Sequence, residues 1–489
     1  MEMMTIEELK TYAPAYKIVP ISKTIYADMR TPVEVLRILK HISSRCYLLE
    51  SMEDNQRWGR YTFLGCDPQM EIVCKDNVVH LKSGTDVAVQ TDHPDDFIRQ
   101  ILKDNTSPRI EGLPNFTGGL VGYFSYDYIK YAEPSLQLQA DDDEQIPDYD
   151  LLLFEKVIVF DNLKQKIILI ANVRLDALEE NYHKAVLELE RMEMLIRHGE
   201  KARPEPLHLQ SEFKPLFDEE AYCQMVEKGK QYIREGDIFQ VVLSNRLEAK
   251  AAGSLFDTYR VLRTLNPSPY MFYFAGDDIE LAGSSPETLT RLQDGKLFTF
   301  PLAGTRPRGK TLQEDEALEQ ELLHNEKELA EHNMLVDLGR NDLGRISEFG
   351  SVHVEQYLDV LRFSHVMHLG STVSSTICRD KTAVDAIGAV LPAGTLSGAP
   401  KIRACQIIDE LEKEKRGVYG GAIGYIDFRG NMDTCIGIRL AYKKGNRLFV
   451  RSGAGIVADS VSKNEYQECL NKAKAVVLAV QQADGGIDK

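Results

Sequence analysis

EEAYCQMVEKGKQYIREGDIFQVVLSNRLEAK, residues 219–250, sets the architecture. Behind Asp218, a residue type that caps helices, its first part repeats apolar residues at helical spacing and predicts an amphipathic helix. The second part, DIFQVVLSNRLEAK, predicts a strand. Outward from this stretch the elements come in mixed order. Strands are expected at 270–275, 279–284, 297–300, 419–428, 434–442 and 447–452, and long helices over roughly 312–337 and 463–482. No regular strand–helix–strand alternation runs through them, so the expected class is α+β rather than a doubly wound parallel sheet.

The N-terminal half reads mostly as strands: IYADMR, RCYLLES, RYTFLGCDP, MEIVCKDNVVHLK and the hairpin-like LLLFEKVIVFDNLKQKIILIANV. A helix follows over 178–197, and then a polar, proline-bearing linker, RHGEKARPEPLHLQSEFKP at 198–216. The division that follows is an N-terminal domain over 1–200, a linker over 201–216 and a second domain over 217–489. An acid-rich stretch, ADDDEQIPDYD at 140–150, reads as a solvated loop. GGLVGYFSYD at 118–127 and GGAIGYIDFRG at 420–430 share the pattern GGxxGY, which hints at related sheets in the two halves.

Composition narrows the function. The chain has 489 residues, 58 Lys and Arg against 75 Asp and Glu, and a net charge of −17. That balance argues against non-specific nucleic-acid binding, which needs cations for phosphates. The longest apolar run, LLLFEKVIVF, is broken by Glu155 and Lys156, short of the ~18 residues a membrane helix needs. MEMMTIEELK has acids where a secretory leader needs a basic and then an apolar region, so a cytoplasmic protein is expected. Eight isolated cysteines form no CxxC pair and read as small buried hydrophobes.

The segments able to carry chemistry lie in the second half. In KELAEH, Glu328 and Glu331 share a helical face; in NEYQECLNKAK, Glu465 and Glu468 repeat the spacing, with Lys472 four residues on. Two such pairs facing each other would make an oxygen cage for a hard cation such as Mg²⁺, although each pair alone can equally be a solvated face. PLAGTRPRG, GTLSGAPKIRA and RSGAGIVADS are glycine turns that could offer amides to an anion or simply reverse the chain. Neither a Walker A loop nor GxGxxG is present. Arg439, in the apolar run DTCIGIRLAY, either faces solvent or meets an anionic partner. His368 is a core histidine or, with His365, half of a metal pair.

Taken together and in order, PLAGTRPRG, KELAEHNMLVDLGRNDLGRI, HVMHLGSTV, GTLSGAPKIRA, YGGAIGY, DTCIGIRLAY and GAGIVADSVSKNEYQECLNKAKAV resemble the chorismate-utilising enzymes, and among them the large (component I) subunits of anthranilate synthases. The resemblance is dense over 217–480 and thinner before it, through LLES, RYTFLG and GGLVGYFSYD. It implies two interleaved sheet-plus-helix layers and an enzyme that aminates chorismate with ammonia, then eliminates pyruvate to give anthranilate. It implies Mg²⁺ on Glu331 and Glu468, supported by Glu328 and Glu465. The enolpyruvyl carboxylate would go to Arg439 and the amides of Gly453, Ala454 and Gly455. Gly304, Thr305, Tyr419, Gln240 and Lys472 complete the substrate contacts, and Thr395 borders the pocket. Glu287, in SSPETL, resembles the general acid that expels the hydroxyl, and His368 the residue that positions substrate and assists the elimination.

Two departures separate this chain from related activities. Where isochorismate-forming relatives carry a lysine base, Gln240 stands, an amide that cannot take a proton. Where relatives making aminodeoxychorismate carry a nucleophilic lysine, Ala303 stands. LLES with Glu50 and Ser51, and NPSPYM with Pro269, Tyr270 and Met271, resemble the tryptophan site of feedback-inhibited members, Glu50 holding the amino group. None of the cysteines has the setting of an amidotransferase nucleophile. The resemblance therefore implies a separate glutaminase subunit, in a heterotetramer of two and two.

Overall fold

The computed structural model describes residues 3–51, 59–203, 205–362 and 366–488. His365 of the suggested histidine pair lies outside them. Nearly all the strands belong to two large antiparallel sheets of 13 and 12 strands, flanked by helices, which is the α+β class expected. The first sheet runs from Ile18–Tyr26 through Lys166–Arg174, Lys156–Asp161, Tyr61–Cys66 and Cys46–Glu50. It then crosses into the second half of the chain with Tyr270–Ala275, Ile279–Ser285, Leu440–Lys444, Arg447–Ile456 and Gln240–Ala252. The second sheet has its own seam, where Gly119–Phe124 pairs with Ala422–Asp427. Each sheet thus draws strands from both sides of the 201–216 linker, and that stretch itself pairs short strands, His208–Leu209 and Lys214–Pro215, onto Gln240–Ala252. The halves share their sheets and do not form separate bodies.

The GGxxGY echo now has a structural meaning. The two segments are neighbours in one sheet, with Gly122 opposite Gly424. A Cβ on Gly122 would lie 2.0 Å from the Asp150 carbonyl oxygen, and one on Gly424 2.1 Å from that of Asp433. Only glycine admits such close backbone approach. The match extends outward, because strand order in each half is the same on either side of both seams.

The sheets face each other across a layer of fully buried rings and aliphatic side chains, including Tyr47, Tyr123, Phe154, Phe272, Leu281, Tyr442 and Phe449. Each large apolar side chain buried there contributes about 1.5–3 kcal/mol. Apart from the excursion to the two-residue strand Gly398–Ala399 on the first sheet's edge, the chain passes between the sheets at four places: 67–69, 155, 286–287 and 437–439. The expected hairpin over 151–173 is corrected accordingly. Tyr149–Phe154 lies in the second sheet, Glu155 is the crossing, and only Lys156–Asp161 and Lys166–Arg174 form the hairpin.

Three further readings change. The helix expected over 312–337 is two helices, Leu312–His324 and Glu326–Gly344, because the Asn325 side chain accepts the Glu328 N–H and starts a new helix. The strand expected over 434–442 is interrupted at the fourth crossing. The acidic stretch 140–150 is a charge-paired latch, not a solvated loop: Glu144 is buried against Arg246 and the Tyr442 hydroxyl, and Asp148 accepts from Lys130 and Tyr131. None of the eight cysteines is in a disulfide. Among the described residues no helix is long and apolar enough to cross a membrane.

Candidate active site

Two of the four crossings carry predicted site residues. Glu287 lies on the passage from Ile279–Ser285 to Thr288–Gln293, and Arg439 on that from Met432–Ile436 to Leu440–Lys444. At Glu287 the main chain is pinned. Its carbonyl accepts the Ile436 N–H at 3.0 Å, and the Ser285 hydroxyl donates to the Ile436 carbonyl at 2.7 Å. Burial pushes the Glu287 carboxyl up to about 7, against smaller opposing effects of the Thr395 hydroxyl and the Lys472 charge. Thr395 Oγ1, on the short helical turn Gly394–Leu396, is buried beside that carboxyl without a full hydrogen bond of its own. A carboxylic acid with this affinity can hold a proton near neutrality and release it to a leaving group.

Arg439 has φ = +53°, left-handed for a side-chain-bearing residue, and this bend ends the ladder. Such backbone costs about 1–3 kcal/mol and persists where surrounding structure enforces it. Here Nη1 donates to the Lys472 carbonyl at 2.7 Å, and burial lowers the guanidinium's proton affinity. Because Leu440–Lys444 starts only after the bend, Arg447–Ile456 runs beyond its neighbour and stays paired on one side, with Gln240–Ala252. Gly455 lies opposite Val242 and Gly453 opposite Ser244, whose own amides point away to the Ser397 carbonyl and the Glu412 carboxylate. The alternation of antiparallel strands therefore turns the Gly453 and Gly455 amides outward, toward the side Arg439 has vacated, and the Ala454 amide into the ladder. Lys472 Nζ donates to the Gly453 carbonyl at 3.1 Å on that side. The Tyr419 hydroxyl and the Gln240 amide nitrogen close the same strand, 2.9 Å and 2.6 Å from where side chains on Gly453 and Gly455 would begin.

Opposite stand the acids. Glu328 and Glu331 project from Glu326–Gly344, and Glu465 and Glu468 from Ser462–Ala483. Burial, then the negative charges of Glu328 and Glu468, raise the proton affinity of Glu331; burial, then Glu468, raise that of Glu465. Cations answer them: Lys472 pairs with Glu468 at 2.7 Å, Arg306 with Glu328 at 3.1 Å, and the Lys327 and Lys472 charges act on both Glu331 and Glu465. Among the described residues no three ligating side chains are drawn together tightly enough to hold a metal ion. The donor set is nonetheless all carboxylate oxygen, crowded with like charge, and fits a hard divalent cation. Lys327 and Arg306 were not singled out from the sequence. Their signal was proximity alone: one precedes Glu328, the other follows Thr305.

His368 sits on Val366–Thr376, beside a bulge at Gly304 in Leu302–Pro307. Gly304 has φ = +65°, and a Cβ there would lie 2.8 Å from Leu322 and 3.2 Å from a Glu328 oxygen. The bulge points the Gly304 carbonyl at His368 Nδ1, 2.9 Å away, with Thr305 Oγ1 at 3.1 Å. Burial lowers the affinity of the imidazole for a second proton, so the ring is neutral with its proton on Nδ1. One contiguous arrangement therefore runs from His368 and Gly304 through the acids and Lys472 to Gly453, Arg439 and Tyr419, with Glu287 and Thr395 beside Lys472.

The regulatory candidates lie apart. Glu50, Ser51, Pro269, Tyr270 and Met271 all line one cavity of about 350 Å³, walled also by Tyr61, Phe63 and Tyr425. It sits at the seam where Met271 pairs with Glu50. Both Glu50 oxygens accept from Arg263, at 2.5 and 3.1 Å, and Tyr259 donates to one of them. The Tyr270 hydroxyl donates to Asp433 at 2.8 Å and lies 2.9 Å from Thr288 Oγ1, next in sequence to Glu287.

Fold and site bring together a buried carboxyl, a buried guanidinium beside two outward amides, and two pairs of helical carboxylates. Residues 44–478 match the family described as chorismate binding enzyme. Over 98% of both chains, the protein is 45% identical to anthranilate synthase component 1 of Acetivibrio thermocellus and 41% identical to that of Aquifex aeolicus. The crystal structure of anthranilate synthase component I from Streptococcus pneumoniae superposes with a TM-score of 0.76 at 39% identity, covering 92% of this chain and 98% of that one. The menaquinone-specific isochorismate synthase of Escherichia coli shares the fold, with a TM-score of 0.69 at 21% identity over 97% and 99% of the two chains. The chain belongs to the chorismate-binding enzymes and, within them, to the anthranilate synthase component 1 family.

Proposed function

We propose that this enzyme aminates chorismate with ammonia and eliminates pyruvate to give anthranilate, in a Mg²⁺-dependent reaction inhibited by tryptophan. The observation that carries the reading is the meeting, around Lys472, of two acid pairs, Arg439 and Glu287. Glu331 and Glu468, with Glu328 and Glu465, would hold Mg²⁺, which when bound neutralises the ring carboxylate and fixes its place. Arg439 and the outward amides of Gly453 and Gly455 receive the enolpyruvyl carboxylate; a guanidinium suits this through its planar, paired donors. Tyr419 and Gln240 limit the pocket on that side. Glu287 hands its proton to the departing ring hydroxyl, which leaves as water while ammonia bonds to the carbon beside the carboxylate-bearing one. Loss of the ring proton at that carbon then expels the side chain as pyruvate and makes the ring aromatic. His368, neutral and oriented by Gly304, is placed to position the ring for this second step.

Gln240 and Ala303 support ammonia as the nucleophile, since neither side chain can activate water or attack the ring. The glutamine-hydrolysing chemistry belongs to a partner subunit, in keeping with the component 1 naming of the relatives, and a two-plus-two assembly in the cytoplasm is expected. Tryptophan suits the seam cavity, whose aromatic walls match an indole. Glu50 can still accept the ligand's amino group through a lone pair that Arg263 and Tyr259 leave unused. The test is direct: purified chain, chorismate, Mg²⁺ and ammonium should give fluorescent anthranilate, suppressed by tryptophan and by EDTA. No anthranilate under these conditions would end the reading.

A further inference from the structure

The strand that carries Gln240, Gln240–Ala252, has an incomplete outer edge. Gly398–Ala399 pairs with its first two residues and Lys214–Pro215 with Leu247 and Glu248, which leaves residues 242–246 without a strand partner on that edge. Among the described residues, main-chain bonds there join only the Val242 N–H to the Ser397 carbonyl and the Leu216 N–H to the Arg246 carbonyl. Side chains fill the first part of this gap. Arg416 Nη2 donates to the Val242 carbonyl at 2.7 Å, and Glu412 accepts the Ser244 N–H at 2.7 Å and its hydroxyl at 2.9 Å. Arg416 and Glu412, each 1% exposed, are joined by two bonds of 2.5 and 3.0 Å. Arg416 Nη1 reaches a third element, donating at 2.6 Å to the carbonyl of Leu396, the residue after Thr395. The guanidinium also lies 4.7 Å from the Tyr126 ring centre and 5.8 Å from that of Tyr419. Four of its five N–H donors are used, and no two of its protein partners outside Glu412 belong to the same element.

Those partners are the backing of the carboxylate clamp. Val242 and Ser244 stand opposite Gly455 and Gly453, whose amides face the pocket. The Leu396 turn holds Thr395 beside Glu287, and Tyr419 faces Gly453. A buried ion pair serving stability alone could be replaced by apolar side chains at little cost. One spread over three site-bearing segments sets where those segments lie. We infer that the Arg416–Glu412 pair is the positioning device of the clamp: it stands in for the missing strand and fixes the distance between the Gly453–Gly455 amides, Tyr419 and the Thr395 turn.

This inference rests on the chorismate reading and deepens it. Arg416→Lys keeps the charge but replaces a planar fork with a single ammonium, which cannot serve Leu396, Val242 and both Glu412 oxygens together. Steady-state kinetics with chorismate and ammonium varied separately should show the chorismate KM raised about tenfold, the cost of roughly 1.4 kcal/mol of lost binding, with the ammonium KM within about twofold of wild type. Glu412→Gln, isosteric and milder, should shift the same constant in the same direction, and it carries the test if Arg416→Lys fails to fold. An unchanged chorismate KM in a folded variant, or both KM values rising together with a fall in melting temperature, would overturn the inference and leave the chorismate reading intact. A wild-type enzyme that makes no anthranilate would take both down.

Discussion

The two halves of this molecule are built on one plan and used for different ends. Each contributes the same succession of strands around both seams, and each crosses between the sheets twice, the second half adding an excursion to Gly398–Ala399. In the first half the crossings hold 67–69 and Glu155; in the second they hold Glu287 and Arg439. The halves diverge most between their edge hairpin and their seam strand. Residues 84–118 supply only Thr85–Gln90 and the helix Asp95–Asp104, whereas 300–421 supply Gly304, Thr305, both helices around Asn325, His368 and Thr395. Glu155 and Glu287 make the contrast sharp, since burial raises the proton affinity of both. Glu155 has two cations nearby, Arg174 at 3.8 Å and Lys156, and among the described residues none of the candidate site groups acts on it. A perturbed carboxyl becomes a candidate acid only where a clamp and a cation site converge on it.

Substitutions can break this comparison, and the largest effect belongs to Glu287. Glu287→Gln should lower kcat by about 10²–10⁴, the usual worth of a general acid, while Glu155→Gln keeps wild-type turnover; equal losses would erase the distinction between the crossings. Next comes Arg439→Lys, for which the chorismate KM should rise about 10–100-fold through loss of paired charged hydrogen bonds. Ser51→Phe, at the seam cavity, should raise the tryptophan concentration needed for half inhibition about tenfold, within the usual range of allosteric coupling, and leave the uninhibited rate alone. Unchanged inhibition would remove Ser51 from the ligand's path.

A pH profile is subtler. Glu287 donates only when protonated and holds its proton up to about 7, so kcat/KM should fall as pH rises through that region. A profile flat from pH 6 to 9 would assign the proton elsewhere. Smallest is the effect of Glu155→Gln on stability. A carboxyl whose proton affinity rises on folding favours the folded state below its unfolded pKa, and that contribution disappears as pH climbs through the folded value. Above that value its buried charge is a cost, so there the neutral variant should melt at the wild-type temperature or slightly above.

Much of this was legible in the chain, for identifiable reasons. Helical periodicity placed 178–197 and 463–482 within a residue or two of Leu178–His198 and Ser462–Ala483, because both present a long apolar stripe to a sheet. The helices Pro32–Ile42 and Asp95–Asp104 went unread beside strand-rich neighbours. Local pattern could not reveal that Glu155 carries the chain from one sheet to the other, since sheet membership is decided by partners distant in sequence. Nor could it show that Arg439 takes a left-handed backbone, the feature that exposes the Gly453 and Gly455 amides. The acid pairs were visible as spacing; that Lys472, Lys327 and Arg306 hold them in register was not.

We propose that the second-half crossings and the two acid-bearing helices form one carboxylate-binding, Mg²⁺-dependent centre. A crystal structure with Mg²⁺ and benzoate tests it most directly. The expected result is an ion bridging Glu331 and Glu468 to the benzoate carboxylate, with the ring between Glu287 and His368. Benzoate held elsewhere, or Mg²⁺ bound without any of the four glutamates, would contradict it.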